Sequence, residues 1–131
     1  MEPQEPNSPT PYDRIGGDAK VRALVERFYD LMELEPRFTR LRAVHGASLE
    51  SAREKLYLFL SGWLGGPSLY TDRFGHPMLR ARHLPFSIGN EERDQWMACM
   101  MQAMEETEVP QELRRALGEA FGNTADWMRN R

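Results

Sequence analysis

Gly75-His76-Pro77-Met78-Leu79-Arg80-Ala81-Arg82-His83-Leu84-Pro85-Phe86-Ser87-Ile88 is the stretch on which the reading of this chain turns. Two histidines and two arginines sit among apolar residues between prolines, and Trp96 follows thirteen positions after His83. That mixture is odd for a plain helical core. A neutral imidazole is a metal ligand, and guanidinium groups one and three positions before it can meet carboxylates. Apolar neighbours on each side would keep water out. The arrangement suits a planar, carboxylated iron cofactor lying against His83. A two-histidine zinc site with His76 is a poor competitor, because a spacing of seven fits no common zinc pattern and the one cysteine, Cys99, is far off.

Working outward, the 131 residues allow one domain with a real core. Charge is spread along the chain, with a net value of −3 and no basic block, which argues against a nucleic-acid partner. A single cysteine cannot form an internal disulfide and fits a reducing compartment. No apolar run approaches the ~20 residues of a membrane span. The N-terminus lacks the basic-then-apolar signal pattern. The expected location is therefore the cytoplasm, without membrane association. Eight methionines read as irregular core packing.

Residues 1–11 carry four prolines among polar residues and are expected to form a disordered tail, with the domain spanning 12–131. After Gly16-Gly17, with Asp18 as N-cap, Val21, Leu24, Val25, Phe28, Tyr29 and Met32 recur at helical spacing. This predicts a helix over 18–34, stopped before Pro36, and a short second helix to about Ala43. Ser48 is expected to cap a helix with an apolar face of Leu49, Ala52, Leu56, Phe59, Leu60 and Trp63. Gly65-Gly66-Pro67 ends that helix. Residues 68–77 read as a loop anchored by Leu69, Tyr70 and Phe74, and 78–82 as a brief helical piece. Asn90 is the expected cap of a long helix with the stripe Arg93, Trp96, Met97, Met100, Met101 and Met104. Pro110 opens the last helix, whose inner face is Leu113, Leu117, Ala120, Phe121, Thr124 and Met128. No strand pattern appears. The class is all-α, with four substantial helices crossing as two pairs.

Several of these signatures are similar to those of the truncated haemoglobins, specifically the second of their three groups. They are Gly16-Gly17, Phe28-Tyr29, Gly65-Gly66-Pro67 with Tyr70, the run from Gly75 to Phe86, and Trp96. The resemblance covers residues 12–128. It implies a two-over-two helical sandwich around haem b, with His83 as the proximal iron ligand. Met100, Met101 and Met104 are read as helix-core packing rather than as iron ligands, and Cys99 as a buried small apolar residue.

The other candidate site residues follow partly from chemistry and partly from that resemblance. Arginine offers a carboxylate two charge-assisted bonds, so Arg82, and less firmly Arg80, are candidates to hold the propionates. Similar proteins use a lysine on the distal helix and a tyrosine after the diglycine turn, here Lys55 and Tyr70. Phe86 completes the matched run. Tyr29 in the family points at ligand on the iron, and Trp96 resembles the family's buried tryptophan over the haem. Ala52 and Leu56 occupy distal positions where many globins place a hydrogen-bonding side chain, and Phe59 would wall the pocket. Distal polarity thus falls to Tyr29, Trp96 and His45. The family often has tyrosine or phenylalanine then proline at the corner that His45-Gly46 occupies, so Val44 is the alternative pocket residue there.

The function expected is reversible binding of dioxygen and other diatomic ligands at a five-coordinate iron. Donors at Tyr29 and Trp96 imply slow release, which disfavours delivery by simple loading and unloading. Redox chemistry on bound ligand is then open: peroxide turnover, nitric oxide oxidation or sulfide binding, with a reductase as candidate partner. One alternative is a true peroxidase with His45 as base. Another is a cofactor-free helical interaction module. Monomer and homodimer are both compatible with the sequence.

Overall fold

The computed structural model describes residues 9–78, Ala81, His83 and residues 88–130. Its elements are α1 (Pro11–Ile15), α2 (Asp18–Leu34), a 3-10 turn (Pro36–Phe38), α3 (Thr39–Ala43), α4 (Glu50–Trp63), α5 (Leu69–Phe74), α6 (Asn90–Glu106) and α7 (Gln111–Trp127). No strand occurs among the described residues. Helix α2 packs on both α4 and α6, and α6 packs on α7, so the long helices form two layers of two.

The apolar stripe of α2 is the centre of that packing. Val21, Leu24, Val25, Phe28, Leu31 and Met32 are fully buried. They meet Cys99, Met100, Ala103 and Met104 of α6, which are equally buried. Burying a side chain of this size contributes about 1.5–3 kcal/mol, so this seam is the main source of stability. Leu113, Leu117 and Phe121 seat α7 on the same core.

The first helix begins at Pro11, inside the stretch expected to be a tail. Thr10 and Asp13 form a capping box, with reciprocal bonds of 3.1 and 3.2 Å, and Pro11 occupies the first turn of α1. Thr10 and Pro11, placed in the expected tail, thus take part in α1 and its cap, and residues 1–8 lie outside the described residues. The backbone of α1 is tied to the end of α4 by Tyr12 N–H donating to the Leu64 carbonyl at 2.9 Å. There Gly65 adopts φ +98°, and the Tyr12 ring lies so close over Gly66 that no Cβ would fit. The diglycine is thus a docking point for α1. Ser61 closes the turn by donating to the Pro67 carbonyl at 2.8 Å.

Several local expectations need correction. Asp18 does not cap α2; Gly17 does, and Asp18 accepts a hydrogen bond from the Tyr57 hydroxyl across the α2–α4 interface. Ser48 stands one residue before the Leu49 cap of α4, where its Oγ accepts from Glu50 N–H at 3.2 Å. Gly89, not Asn90, caps α6, because its N–H is held by the Glu92 carboxylate at 2.6 Å. Residues 69–74 are helical rather than loop; six residues give a 3.6-residue period too little room to show. Met78 is not helical and has φ +49°, whereas Ala81 and His83 are helical. The rest of the expected piece, at 79, 80 and 82, lies outside the described residues.

Candidate functional site

Helix α4 explains how a cavity arises. Its expected apolar face splits in two. Leu49 and Leu60 of that face, with Tyr57 and Leu58 from outside it, are buried in the core, whereas Ala52, Leu56, Phe59 and Trp63 are only half-buried. Those four recur at intervals of three and four, which places them on one stripe, and they border a cavity of about 620 Å³. Close-packed interiors leave few voids larger than a water molecule. A space this large lies within the ordinary range for cofactor and ligand pockets, ~300–1,000 Å³. The volume is therefore a feature of the fold and not a packing fault.

The remaining wall comes from every other long element. Leu41, Val44, His45 and Gly46 supply one corner; Tyr29 comes from α2, Tyr70 from α5, and Phe121, Thr124 and Met128 from α7 and its end. His83 and Ile88 border it, with Glu92, Arg93 and Trp96 from the start of α6. The structure thus gathers Tyr29, His45, Ala52, Lys55, Leu56, Tyr70, His83 and Trp96 around one space. His45 and Val44 both face it, so the two alternatives at that corner are not exclusive. Arg80, Arg82 and Phe86 lie outside the described residues.

The aromatic side chains are held by one another. Phe28 meets Tyr29 edge to face at 4.9 Å and Trp96 at 5.3 Å between centroids. Trp96 in turn meets Phe121 at 5.5 Å, and Phe121 stacks on Trp63 at 4.7 Å. The Tyr29 hydroxyl and the Trp96 indole N–H make no hydrogen bond to any described residue. A buried phenol or indole ordinarily finds a partner. Burial pushes the Tyr29 phenol well above its ordinary range, against the pull of Arg53, so it stays protonated and able to donate. Arg53 lies 5.8 Å from the Tyr29 ring centroid and is itself held by Glu26 at 3.1 Å and Asp30 at 2.9 Å.

His45 Nδ1–H donates to the Leu41 carbonyl, 3.0 Å away. Burial lowers its pKa, with the Leu41 contact opposing and the charges of Arg42 and His83 reinforcing. The corner thus favours a neutral ring. At the other end, Tyr70 packs edge to face on Phe59 at 6.4 Å and against Phe74 at 4.9 Å. Lys55 Nζ lies 5.9 Å from the same Phe74 ring, so lysine and tyrosine share one rim.

Arg93, Trp63 and Met128 also border the cavity, although the sequence reading placed them only on helix faces. Trp63 could have been found, since it continues the Leu56–Phe59 stripe by one turn. Arg93 is engaged by Asp126 at 2.7 Å and Asp94 at 2.9 Å. A mostly apolar cleft bordered by the imidazoles of His83 and His45, with a cationic rim and two donors without partners among the described residues, can accept a flat apolar group with anionic edges and a metal at its centre. The residues present therefore fit an iron porphyrin.

Known proteins bear on this arrangement directly. Residues 10–130 match the bacterial-like globin family. A group 2 truncated haemoglobin of Bacillus subtilis is 41% identical over 120 residues, covering 92% of this chain and 88% of that protein. The group II two-on-two haemoglobin of Agrobacterium tumefaciens superposes with a TM-score of 0.91 at 44% identity, covering 99% of this chain and 98% of the other. A truncated oxygen-avid haemoglobin from Bacillus subtilis superposes with a TM-score of 0.85 at 40% identity, covering 93% and 100%. The helical order, the two-over-two packing and these matches agree: this chain belongs to the bacterial-like globin family, as a group II truncated haemoglobin of two-on-two fold.

Proposed function

We propose that the chain is a haem b globin that binds dioxygen and other diatomic ligands and releases them slowly. One observation carries this reading. Tyr29 and Trp96 line the cavity that His83 borders, and the Tyr29 hydroxyl and Trp96 indole N–H have no partner among the described residues. Haem, when bound, supplies an iron that takes up a diatomic ligand.

The residues would divide the work as follows. His83 would hold the group through a ring nitrogen. Lys55, Tyr70 and Arg82 meet its anionic edges. Ala52, Leu56, Phe59 and Phe86 exclude water from its faces. Tyr29 and Trp96 donate to the ligand, and each hydrogen bond to a charged acceptor contributes about 1.5–3 kcal/mol. Because ~1.4 kcal/mol is tenfold, two such bonds slow release by two or more orders of magnitude. Slow release favours redox chemistry over carriage, such as peroxide turnover, nitric oxide oxidation or sulfide binding, with a reductase as partner. The similarity to a truncated oxygen-avid haemoglobin from Bacillus subtilis supports the same direction. The lone, buried cysteine suits a cytoplasmic setting.

Absorption spectra of the ferric, ferrous and carbonyl forms test the proposal. A Soret band in the purified protein, with spectra altered in His83→Ala, is expected. Protein without that band and unable to take up added hemin would instead be a helical interaction module. A second reading, a peroxidase with His45 as base, is favoured by the neutral, cavity-facing imidazole. Steady peroxide turnover that survives His45→Ala removes it.

A further inference from the structure

The chain after α7 reaches back to the segment that carries His83. Asn130 N–H donates to the Ile88 carbonyl at 2.8 Å, and Ile88 N–H donates to Asn130 Oδ1 at 2.9 Å. The remaining side-chain group, Asn130 Nδ2, donates to the His83 carbonyl at 3.3 Å. One asparagine therefore touches both ends of the 83–88 segment. Its two amide functions are matched in kind to what they meet: an acceptor for an N–H and a donor for a carbonyl. Aspartate could keep the first bond and not the second; alanine could keep neither.

This contact belongs to a larger clasp. Asp126 accepts from Arg93 at 2.7 Å and from Arg129 at 2.9 Å, and Arg129 donates to Asn90 at 3.0 Å. Residues 126–129 thus dock on the first turn of α6, directly after Ile88. Those ion pairs are partly exposed and contribute little individually. They adjoin Asn130 in the chain, and Asn130's own three bonds hold it on the 83–88 segment.

We infer that Asn130 is a positioning residue for His83, setting the backbone height and tilt from which the imidazole reaches into the cavity. The inference rests on the reading of His83 as the iron ligand. The bond between a metal and an imidazole depends on ring orientation, which groups outside the ligand set control. Each neutral bond changes an equilibrium by roughly a factor of three to ten, so loss of both side-chain bonds amounts to about tenfold or more.

Three variants of the full-length haem protein test this: Asn130→Ala, Asn130→Asp and Arg129→Ala. The readouts are the iron–histidine stretching band of the ferrous form by resonance Raman, the rate of haem loss to an apoglobin acceptor, amide exchange at Ile88, and Tm. In Asn130→Ala we expect a shifted or broadened stretching band, haem loss about tenfold faster, and faster exchange at Ile88. In Asn130→Asp we expect the altered band with Ile88 protection retained. Arg129→Ala, which removes only exposed contacts to Asp126 and Asn90, should lower Tm slightly and leave the band in place. An unaltered band in Asn130→Ala, or the same shift in Arg129→Ala, overturns the inference and leaves a structural clasp only. A wild-type ferrous protein with no iron–histidine band overturns the ligand reading itself, which separates the two failures.

Discussion

The ring of Tyr29 meets the imidazole of His45 edge to face, with centroids 6.0 Å apart and planes at 84°, on the wall of the cavity that both border. The contact fixes the phenol between His45 and Phe28 without using its hydroxyl. Position and chemistry are thus separable at this residue.

That separation gives the first prediction. Tyr29→Phe keeps the ring contacts and removes only the hydroxyl. Unfolding free energy should change by less than about 1 kcal/mol, since no hydrogen bond to a described residue is lost. Oxygen release should accelerate at least tenfold, and Trp96→Phe added to it should bring the total to about a hundredfold. Stopped-flow displacement of oxygen by carbon monoxide, beside urea titrations, reads both quantities. Unchanged release in the double variant would remove the two donors from the mechanism.

His45 yields a prediction about acid. Burial holds its pKa below the ordinary value of 6.5, so the unfolded chain binds this proton more readily than the folded one. Stability rises with pH wherever the unfolded state carries more protons. The contribution is therefore intact above about pH 6.5 and declines as pH falls from there toward the folded pKa. Between pH 7.5 and 5.5 the urea midpoint of wild type should fall more steeply than that of His45→Gln. Parallel slopes would mean that this corner is wetter than its geometry implies.

Much of the fold could be read from periodicity, because α2, α6 and α7 are each 17 residues long and repeat their apolar stripe over several turns. The errors fell where one or two residues decide. Asp18 looks like a cap, but Tyr57 of α4 claims its carboxylate, a partner 39 positions away that no local pattern announces. Asn90 looks like a cap as well, yet the buried Glu92 moves that function to Gly89. In the site, α4 read as one apolar face, while packing divides it between core and cavity. Half-burial of Ala52, Leu56 and Phe59 is a tertiary fact, set by how far apart the two layers stand. Tyr29 and Trp96 were recognisable from spacing and resemblance; that their polar atoms meet no described residue could come only from coordinates.

Glu92 supplies a prediction about the entrance to α6. The residue is 3% exposed and its carboxylate accepts from Gly89 N–H at 2.6 Å, with Arg40 Nη1 at 3.6 Å from the same carboxylate. Without this acceptor the Gly89 N–H loses its cap inside the protein. Glu92→Ala should cost about 1–2 kcal/mol in urea unfolding, the usual cost of a missing N-terminal cap. Glu92→Gln keeps an acceptor oxygen and should lose less than half of that. Equal losses in the two variants would point to charge, through Arg40, rather than to capping.

Cys99 is a nucleophile on paper and an inert group in the fold. Its thiol is fully buried and donates to the Phe28 carbonyl at 3.2 Å. Burial pushes its pKa up to about 12. Only the thiolate attacks disulfide reagents, so at pH 8 the reactive fraction is on the order of one in ten thousand even before access is considered. Ellman's reagent should therefore modify the native protein at least a hundredfold more slowly than the urea-unfolded chain. The native rate should follow the opening of the α2–α6 seam, rising in variants such as Phe28→Leu that loosen it. Rapid modification of native protein would mean that this seam, on which both the core and the posture of Tyr29 and Trp96 depend, opens far more readily than its packing allows.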